Sequence, residues 1–225
     1  MTEPVADLAR EVLTGDTLTR ALDYASVAVF ALTGALVASR SQLDIVGFIF
    51  IACLTAVGGG TLRDVLLDRP VFWIADPVLL LVATVAAVVV FLMAHLLESR
   101  YRALLWLDAC ALAVAVPAGV AAAQSVGMAW PVVLVAGMVT GCMGGLMRDV
   151  VCNEVPLVLK QGELYVTAAL AGAVAAVLCS LVAGDDLSLL ACGLATLTLR
   201  AGSLRYGWRL PVYRARPPQP GSPKR

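Results

Sequence analysis

Apolar segments long enough to cross a lipid bilayer recur along this chain and constrain its fold more than any other feature. A helix needs about 20 apolar residues to cross the hydrocarbon core. Seven such segments can be placed between short polar connections, which predicts an all-α membrane protein with seven transmembrane helices. Their predicted bounds are 20–38, 45–67, 76–97, 103–124, 129–152, 163–183 and 187–205.

The composition agrees with a membrane protein. Hydrophobic residues make up 60% of the 225 residues and charged residues only 14%, which is too apolar for a soluble domain of this length. Residues 1–19 form a polar N-terminal segment that lacks the positive start and small-residue cleavage site of a signal peptide. Residues 206–225 are rich in proline and basic residues, which predicts a disordered tail.

The arginine and lysine residues of the short loops predict the orientation. With seven spans, one side of the membrane receives most of them, and the other side has few. We therefore predict a multi-pass protein of the cell (inner) membrane with its N-terminus outside and its C-terminus in the cytoplasm. The basic residues on the predicted cytoplasmic side are Arg40, Arg100, Arg102, Lys160 and the cluster Arg205, Arg209, Arg214, Arg216, Lys224 and Arg225.

Two predicted spans end in related motifs, "GGGTLRDV" at 58–65 and "MGGLMRDV" at 143–150. The shift that carries Gly59 onto Gly144, called the repeat offset below, superimposes them and aligns polar residues and glycines elsewhere, which indicates an internal repeat. Since each copy, 20–98 and 103–183, holds three spans, the second must enter the membrane from the opposite side. This predicts two inverted three-helix repeats plus a seventh helix at 187–205. The aligned pairs outside the motifs are Asp23 with Asp108, Gly34 with Gly119 and Thr55 with Thr140.

The glycines and charges of these motifs suggest a functional site. Consecutive glycines weaken a helix, so the second and fifth spans are predicted to bend or unwind at Gly58, Gly59 and Gly60 and at Gly144 and Gly145. Charged side chains within a span face the interior of the bundle, pair with each other or line a water-filled path. The alternative is that the glycines only allow close helix packing and the charges form a capping ion pair. The charged residues concerned are Arg63, Asp64, Arg148 and Asp149.

Other chemistries lack the residues they need. His95 is the only histidine, so neither a zinc site nor a histidine-based hydrolase can be built. The motif around Gly58 is neither a dinucleotide fingerprint nor a P-loop, because Arg63 stands where the third glycine would be and no Gly-Lys-Ser/Thr follows. We therefore expect no enzyme activity, no cofactor, no bound metal and no nucleic-acid partner.

The quoted motifs, extended to "GGGTLRDVLLDRPVFW" at 58–73 and "GGLMRDVVCNEVPLVL" at 144–159, resemble the bacterial members of the trimeric intracellular cation channel family. That family is also described as a glycine transporter or uncharacterised conserved membrane-protein family. "LDYASVAVFALTGA" at 22–35 and "ELYV" at 163–166 extend the likeness over residues 20–205. Met143, which replaces the first glycine of the second triplet, departs from it.

The resemblance implies a homotrimer in the membrane lipid, with one pore in each subunit. The glycine kinks would flank this pore, the charged residues of the motifs would line or support it, and Asp23 and Asp108 are further candidates. Conduction would be of monovalent cations, chiefly potassium. A secondary transporter for a small zwitterion such as glycine, or a structural protein whose charges only pair, remain alternatives. Small residues at 31–39 and 115–123 would allow close approach between helices of different subunits.

Overall fold

The computed structural model describes residues 3–96 and 100–211, and the side chains of residues 17–96, 101–182, 184 and 187–211. Regular structure in this part of the chain is helical, apart from one isolated bridge between Glu163 and Arg209. The helices are α1 (Glu3–Arg40), α2 (Ile45–Leu66), α3 (Phe72–Ala75), α4 (Val78–Met93), α5 (Arg100–Ser125), α6 (Trp130–Val151), α7 (Val166–Ala183) and α8 (Asp185–Tyr206), with 3-10 turns at Ala94–Leu96 and Leu157–Leu159.

Six of the described helices are long and apolar enough to cross a membrane. Large apolar side chains such as Phe50, Leu81 and Leu194 are exposed on their outer faces, where lipid would cover them. The sixth predicted span corresponds to α7, an apolar helix of 18 residues whose length of about 27 Å is slightly less than the hydrocarbon thickness. The prediction of an all-helical membrane protein is confirmed, and the count of seven spans stays a prediction.

The internal repeat is visible in the backbone itself. The repeat offset carries both ends of α2 onto the ends of α6, and it carries the last residue of α1 onto the last residue of α5. Positive φ angles recur at the same interval after these helices: Gln42 (54°) matches Gly127 (67°), and Asp68 (52°) matches Asn153 (54°). Asp and Asn tolerate this left-handed conformation better than most residues do. The repeat therefore includes the turns that end the helices.

The crossing of α2 and α6 shows how the two repeats are related. A Cβ added at Gly59 would collide with the carbonyl oxygen of Thr140, and a Cβ added at Gly144 would collide with that of Thr55. The later residue of one helix thus meets the earlier residue of the other, so the helices cross antiparallel. Because the two contacts are reciprocal, a pseudo-two-fold axis passes through the crossing. The inverted repeat is therefore confirmed.

The remaining boundaries differ from the predicted ones in three places. Helix α1 begins at Glu3, so the polar N-terminal segment continues directly into the first span. The connection after α2 contains the short helix α3, and α7 begins at Val166 rather than at 163 because a 3-10 turn and an extended segment precede it.

The first residues of the predicted disordered tail, 206–225, are ordered. Gly207 ends α8 with a φ of 69°, the indole of Trp208 packs against Gly202, and the Leu210 amide donates to the Gly162 carbonyl at 3.0 Å. Residues 206–211 are therefore part of the folded domain. Residues 212–225 of the predicted tail lie outside the described residues.

Candidate functional site

Arg63, near the end of α2, is the centre of the first polar cluster. It binds Asp64 through two hydrogen bonds, from Nε to Oδ1 at 2.8 Å and from Nη2 to Oδ2 at 3.2 Å, and its Nη1 lies 3.0 Å from Oδ1 of Asp23 on α1. The carboxylate of Asp64 also accepts the backbone N–H of Phe72 at 2.9 Å, which ties the start of α3 to the end of α2. Arg63 and Asp64 are both 1% exposed.

Arg148, near the end of α6, is the centre of the second cluster and pairs with the equivalent aspartates, but its Nη2 makes no hydrogen bond within the described residues. Its Nε donates to Asp149 Oδ1 at 2.7 Å and its Nη1 to Asp108 Oδ1 at 3.1 Å. The carboxylate of Asp149 accepts the backbone N–H of Leu157 at 2.9 Å. The repeat offset carries every residue of the first cluster onto its counterpart in the second. The structure therefore brings all six predicted charged residues into two related clusters.

Each arginine also reaches across to the first helix of the other repeat. Nη1 of Arg63 donates to the carbonyl of Ala118 on α5 at 3.5 Å, and Nη1 of Arg148 donates to the hydroxyl of Thr33 on α1 at 3.0 Å. Thr33 and Ala118 are themselves repeat counterparts. Neither the pairing of the arginines with the other half nor the role of Thr33 was predicted from the sequence.

The formal charges in the two clusters do not cancel. Each holds one guanidinium and two carboxylates, so each carries a formal charge of −1. Taking a charge out of water costs several kcal/mol unless it is paired and hydrogen-bonded. The bidentate Arg63–Asp64 pair and the backbone amides of Phe72 and Leu157 offset part of that cost. Oδ2 of Asp108 is buried and has no hydrogen-bond partner within the described residues.

The glycines of the two motifs do not open the backbone in this structure. Helices α2 and α6 run without interruption through Gly58, Gly59 and Gly60 and through Gly144 and Gly145. The helices are therefore not unwound at these residues in this conformation, and the role of the glycines as pore kinks stays a prediction. Packing between the helices offsets the loss of helix propensity, because Gly59 and Gly144 lie at the α2–α6 crossing, where no side chain fits.

The other motif glycines border side chains rather than backbone. A Cβ at Gly58 would lie 2.8 Å from the Met147 sulfur, and a Cβ at Gly60 would lie 2.6 Å from the ring of Phe72. At Gly145 the nearest atom would be the Tyr165 hydroxyl at 3.3 Å. The packing interpretation thus accounts for Gly59 and Gly144, whereas Gly58 and Gly60 are close to side chains and Gly145 has the most room for a Cβ.

Two cavities open at opposite ends of this polar region. The first, of about 320 Å³, lies at the end of α2 and is lined by Asp23, Arg69, Phe72 and Asp76 among others. The second, of about 480 Å³, lies at the end of α6 beside Arg40, Tyr101, Glu154 and Lys160. Because α2 and α6 are antiparallel, the cavities face opposite sides of the bundle.

The cavity walls follow the same repeat as the clusters. Arg69 donates to Ser125 Oγ at 3.2 Å in the first cavity, and Arg40 pairs with Glu154 at 3.2 Å in the second. These are the same two repeat positions with different residues. The same two positions are therefore in contact in both halves, as an arginine–serine hydrogen bond in the first and as an arginine–glutamate ion pair in the second.

Sequence reasoning missed two buried residues, Arg200 and Tyr165, and the half-buried Glu163. Arg200 on α8 is fully buried, donates from Nη1 to Glu163 Oε2 at 2.9 Å and lies with its guanidinium carbon 4.9 Å from the centre of the Tyr165 ring. The signal was present, because an arginine inside a span costs on the order of 3 kcal/mol and must find a partner. Glu163 and Tyr165 belong to "ELYV", a segment that the sequence singles out only through its likeness to the family.

Within the part of the chain that the structure describes, no group of three or more His, Cys, Asp and Glu side chains is arranged to hold a metal ion. All six cysteines are free thiols. The site therefore consists of ion pairs, glycines and backbone carbonyls.

Comparison with known proteins finds similar sequences and similar solved structures. A family model described as "Glycine transporter" matches twice, at residues 20–95 and 105–180, and the repeat offset carries the first match onto the second. The UPF0126 inner membrane protein YadS of Escherichia coli (strain K12) is 35% identical over 200 residues, covering 85% of this chain and 94% of the relative. A UPF0126 membrane protein of Vibrio cholerae is 35% identical over 199 residues, covering 85% of this chain and 81% of the relative.

The similar solved structures are trimeric intracellular cation (TRIC) channels. The orthologue from Rhodobacter sphaeroides is 41% identical, with a TM-score of 0.82, and the match covers 85% of this chain and 99% of that one. A prokaryotic TRIC channel solved in 0.5 M KCl is 27% identical, with a TM-score of 0.80, and the match covers 85% of this chain and 98% of that one. The chain therefore belongs to the bacterial branch of the trimeric intracellular cation channel family, whose members are also described as glycine transporters and UPF0126 membrane proteins.

Proposed function

We propose that this protein is a potassium-permeable channel for monovalent cations, with one pore in each subunit of a homotrimer. The observation that carries the proposal is the pair of buried clusters related by the pseudo-two-fold axis, each with one more carboxylate than guanidinium. Acidic groups and backbone carbonyls replace part of the hydration shell of a cation. A site with a formal charge of −1 favours cations over anions.

The proposed path connects the two cavities through the clusters. A cation would enter the cavity beside Asp23, pass the Arg63 cluster and then the Arg148 cluster, and leave beside Glu154. In the conformation described, both guanidinium groups are buried and held by carboxylates, which gives an occluded state. Conduction then requires that the arginine side chains move away from the carbonyl of Ala118 and the hydroxyl of Thr33.

The solved relatives support both the ion and the assembly. Two of them, at 41% and 29% identity, are described as a trimeric intracellular cation channel and as TRIC cation channels through which conductance occurs. The small-residue segments 31–39 and 115–123 do not provide the subunit contact that the sequence suggested, because most of their side chains are buried within the subunit. The trimer contact must use other surfaces, with membrane lipid on the rest.

The proposed topology has seven spans, with the N-terminus outside and the C-terminus cytoplasmic. Helix α7 is the repeat counterpart of α4, so it would cross the membrane as α4 does, and seven crossings then place the two termini on opposite sides. The cavity beside Asp23 would then open to the outside, and the cavity beside Lys160 to the cytoplasm. The basic loops on the cytoplasmic side support this orientation.

A carrier for a small zwitterion such as glycine is the second candidate. The cavity of about 320 Å³ beside α1 presents both signs of charge, from Arg20 and Arg69 and from Asp23 and Asp76. A carboxylate and an ammonium group could pair with these side chains at the same time. The family description as a glycine transporter agrees with this chemistry.

Purified protein in planar bilayers and in proteoliposomes distinguishes the two candidates. A channel gives unitary potassium current steps and no saturable glycine uptake. A carrier gives saturable glycine uptake without current steps, and that result would overturn the proposal. The variant D68N is the matched control in both assays, because Asp68 is exposed at the same end of α2 but belongs to neither cluster.

A further inference from the structure

Helix α8 lies outside the repeat, yet its buried arginine reaches the second half of the site. The guanidinium of Arg200 pairs with Glu163 and covers one face of the Tyr165 ring. Tyr165 is 1% exposed, and its hydroxyl points to the space above Gly145. Nη2 of Arg148 and Oδ1 of Asp108 border the same space, each 3.5 Å from the position of a Gly145 Cβ.

The segment that carries Glu163 and Tyr165 is held by the end of α8. The backbone amide of Leu164 donates to Ser203 Oγ at 3.3 Å, and this hydroxyl donates to the carbonyl of Trp208 at 3.1 Å. Gly172 on α7 allows close contact with Thr196 on α8. Tyr165 is therefore fixed by the end of α8 as well as by its arginine.

The first half of the site is built differently at the equivalent place. The space above Gly60 is occupied by the ring of Phe72, at the start of the short helix α3. The guanidinium of Arg63 lies 5.3 Å from the centre of that ring. The two halves thus use an aromatic ring at the same place, but only the ring of Tyr165 is in contact with Arg200.

We propose that Arg200 is a positioning residue for the permeation site: through Tyr165 it holds Asp108 and Arg148 in the geometry that conduction uses. This inference rests on the proposed channel function and assigns α8 a part in it. Substitution of Arg200 should disturb the second cluster and leave the first intact. The function of α8 is then to make the two halves of the pore inequivalent.

The chemistry of arginine allows a specific test. Lysine at position 200 would keep the positive charge beside Glu163 but could not lay a planar guanidinium on the Tyr165 ring. R200K should therefore retain the ion pair and lose the positioning of Tyr165. If pairing with Glu163 were the only role of Arg200, R200K would conduct like the unmodified protein.

Potassium flux should be compared for R200Q, R200K, Y165F and the control R205Q, which removes an exposed arginine from the same helix. We expect R200Q and R200K to reduce flux by about two- to thirty-fold, the range for residues that act through packed side chains. Y165F should also reduce flux, and R205Q should not. Full flux in R200K, or equal flux in R200Q and R205Q, would overturn the proposal. If R200Q does not fold, R200K and Y165F carry the same comparison.

A second measurement does not depend on conduction. Double-mutant cycles of unfolding in detergent should show coupling between R200Q and D108N, and additive effects for R200Q with D23N. Additivity in both cycles would contradict the positioning role even if the protein conducts. Coupling to Asp108 in a protein that carries no current would retain the structural link and reject the channel function instead.

Discussion

The Arg63 and Arg148 clusters pair with equivalent aspartates but have different surroundings. Asp23 borders an open cavity and its side chain is 13% exposed, whereas the side chain of Asp108 is 0% exposed. Tyr165, held by Arg200, closes the space beside the second cluster. The repeat sets which residues form the ion pairs, and residues that differ between the two halves decide how dry each pair is. Substitutions that disturb the helix crossing should affect both halves equally. Substitutions whose cost depends on access of water to the ion pairs should affect the two halves differently.

The largest expected difference between the halves is the side of the membrane that each faces. In a variant without native cysteines, P70C and V155C place thiols at repeat counterparts that are both exposed. An impermeant thiol reagent applied to intact cells should label P70C and leave V155C unlabelled until the membrane is opened. Labelling of both residues from one side would exclude the inverted arrangement.

The next largest difference concerns the carboxylates that pair with the arginines across helices. D108N should lower the free energy of unfolding by about 3–5 kcal/mol, because it leaves Arg148 short of one partner in a dry site. D23N should cost less, about 1–3 kcal/mol, because Arg63 keeps its two hydrogen bonds to Asp64 and the side chain at position 23 borders the cavity. Chemical unfolding in detergent measures both, with D68N as the control. Equal losses for D23N and D108N would show that the two clusters are equally solvated.

The glycines at the α2–α6 crossing should behave alike in the two halves. G59A and G144A each place a Cβ against a backbone carbonyl that cannot move alone, so each should cost about 1–3 kcal/mol of stability. G58A is the matched control, because its Cβ would meet only the flexible end of Met147. A loss in G58A as large as in G59A would mean that the triplet matters for backbone flexibility rather than for close approach.

The smallest expected difference lies at the glycines next to the arginines. G60A would press on the ring of Phe72 at 2.6 Å, whereas the Cβ of G145A would have at least 3.3 Å to its neighbours. G145A should change stability by less than about 1 kcal/mol, since the gain in helix propensity is of that size. G60A should be the less stable of the two in thermal unfolding. If G145A were the less stable variant, the surroundings of Gly145 would be more crowded than those of Gly60.

Much of the fold could be predicted from the sequence, because the length of the apolar segments and the fixed repeat offset are strong signals. The offset also aligned Asp23 with Asp108 and Arg63 with Arg148, and in each half the aspartate and the arginine that pair are 40 residues apart in the chain. An unpaired charge inside a membrane is costly. An aspartate and an arginine that recur together in both repeats are therefore expected to be in contact.

The rest depends on contacts that no local pattern encodes. The glycine triplet has the same low helix propensity whether the helix unwinds or packs against Thr140, and only the crossing of α2 and α6 decides between them. Arg200 has no repeat counterpart, so the offset could not indicate its partner. For α7, the extended segment before Val166 is fixed by contacts with Ser203 and Arg209 that are distant in sequence.

The central claim, that the excess of carboxylates selects cations, is tested most directly by the reversal potential in planar bilayers with a KCl gradient. Wild type and the control D68N should reverse near the potassium equilibrium potential. D23N with D108N, which brings both clusters to a formal charge of zero, should shift the reversal potential towards zero while current steps persist. An unchanged reversal potential in the double variant, with intact trimers, would contradict the account.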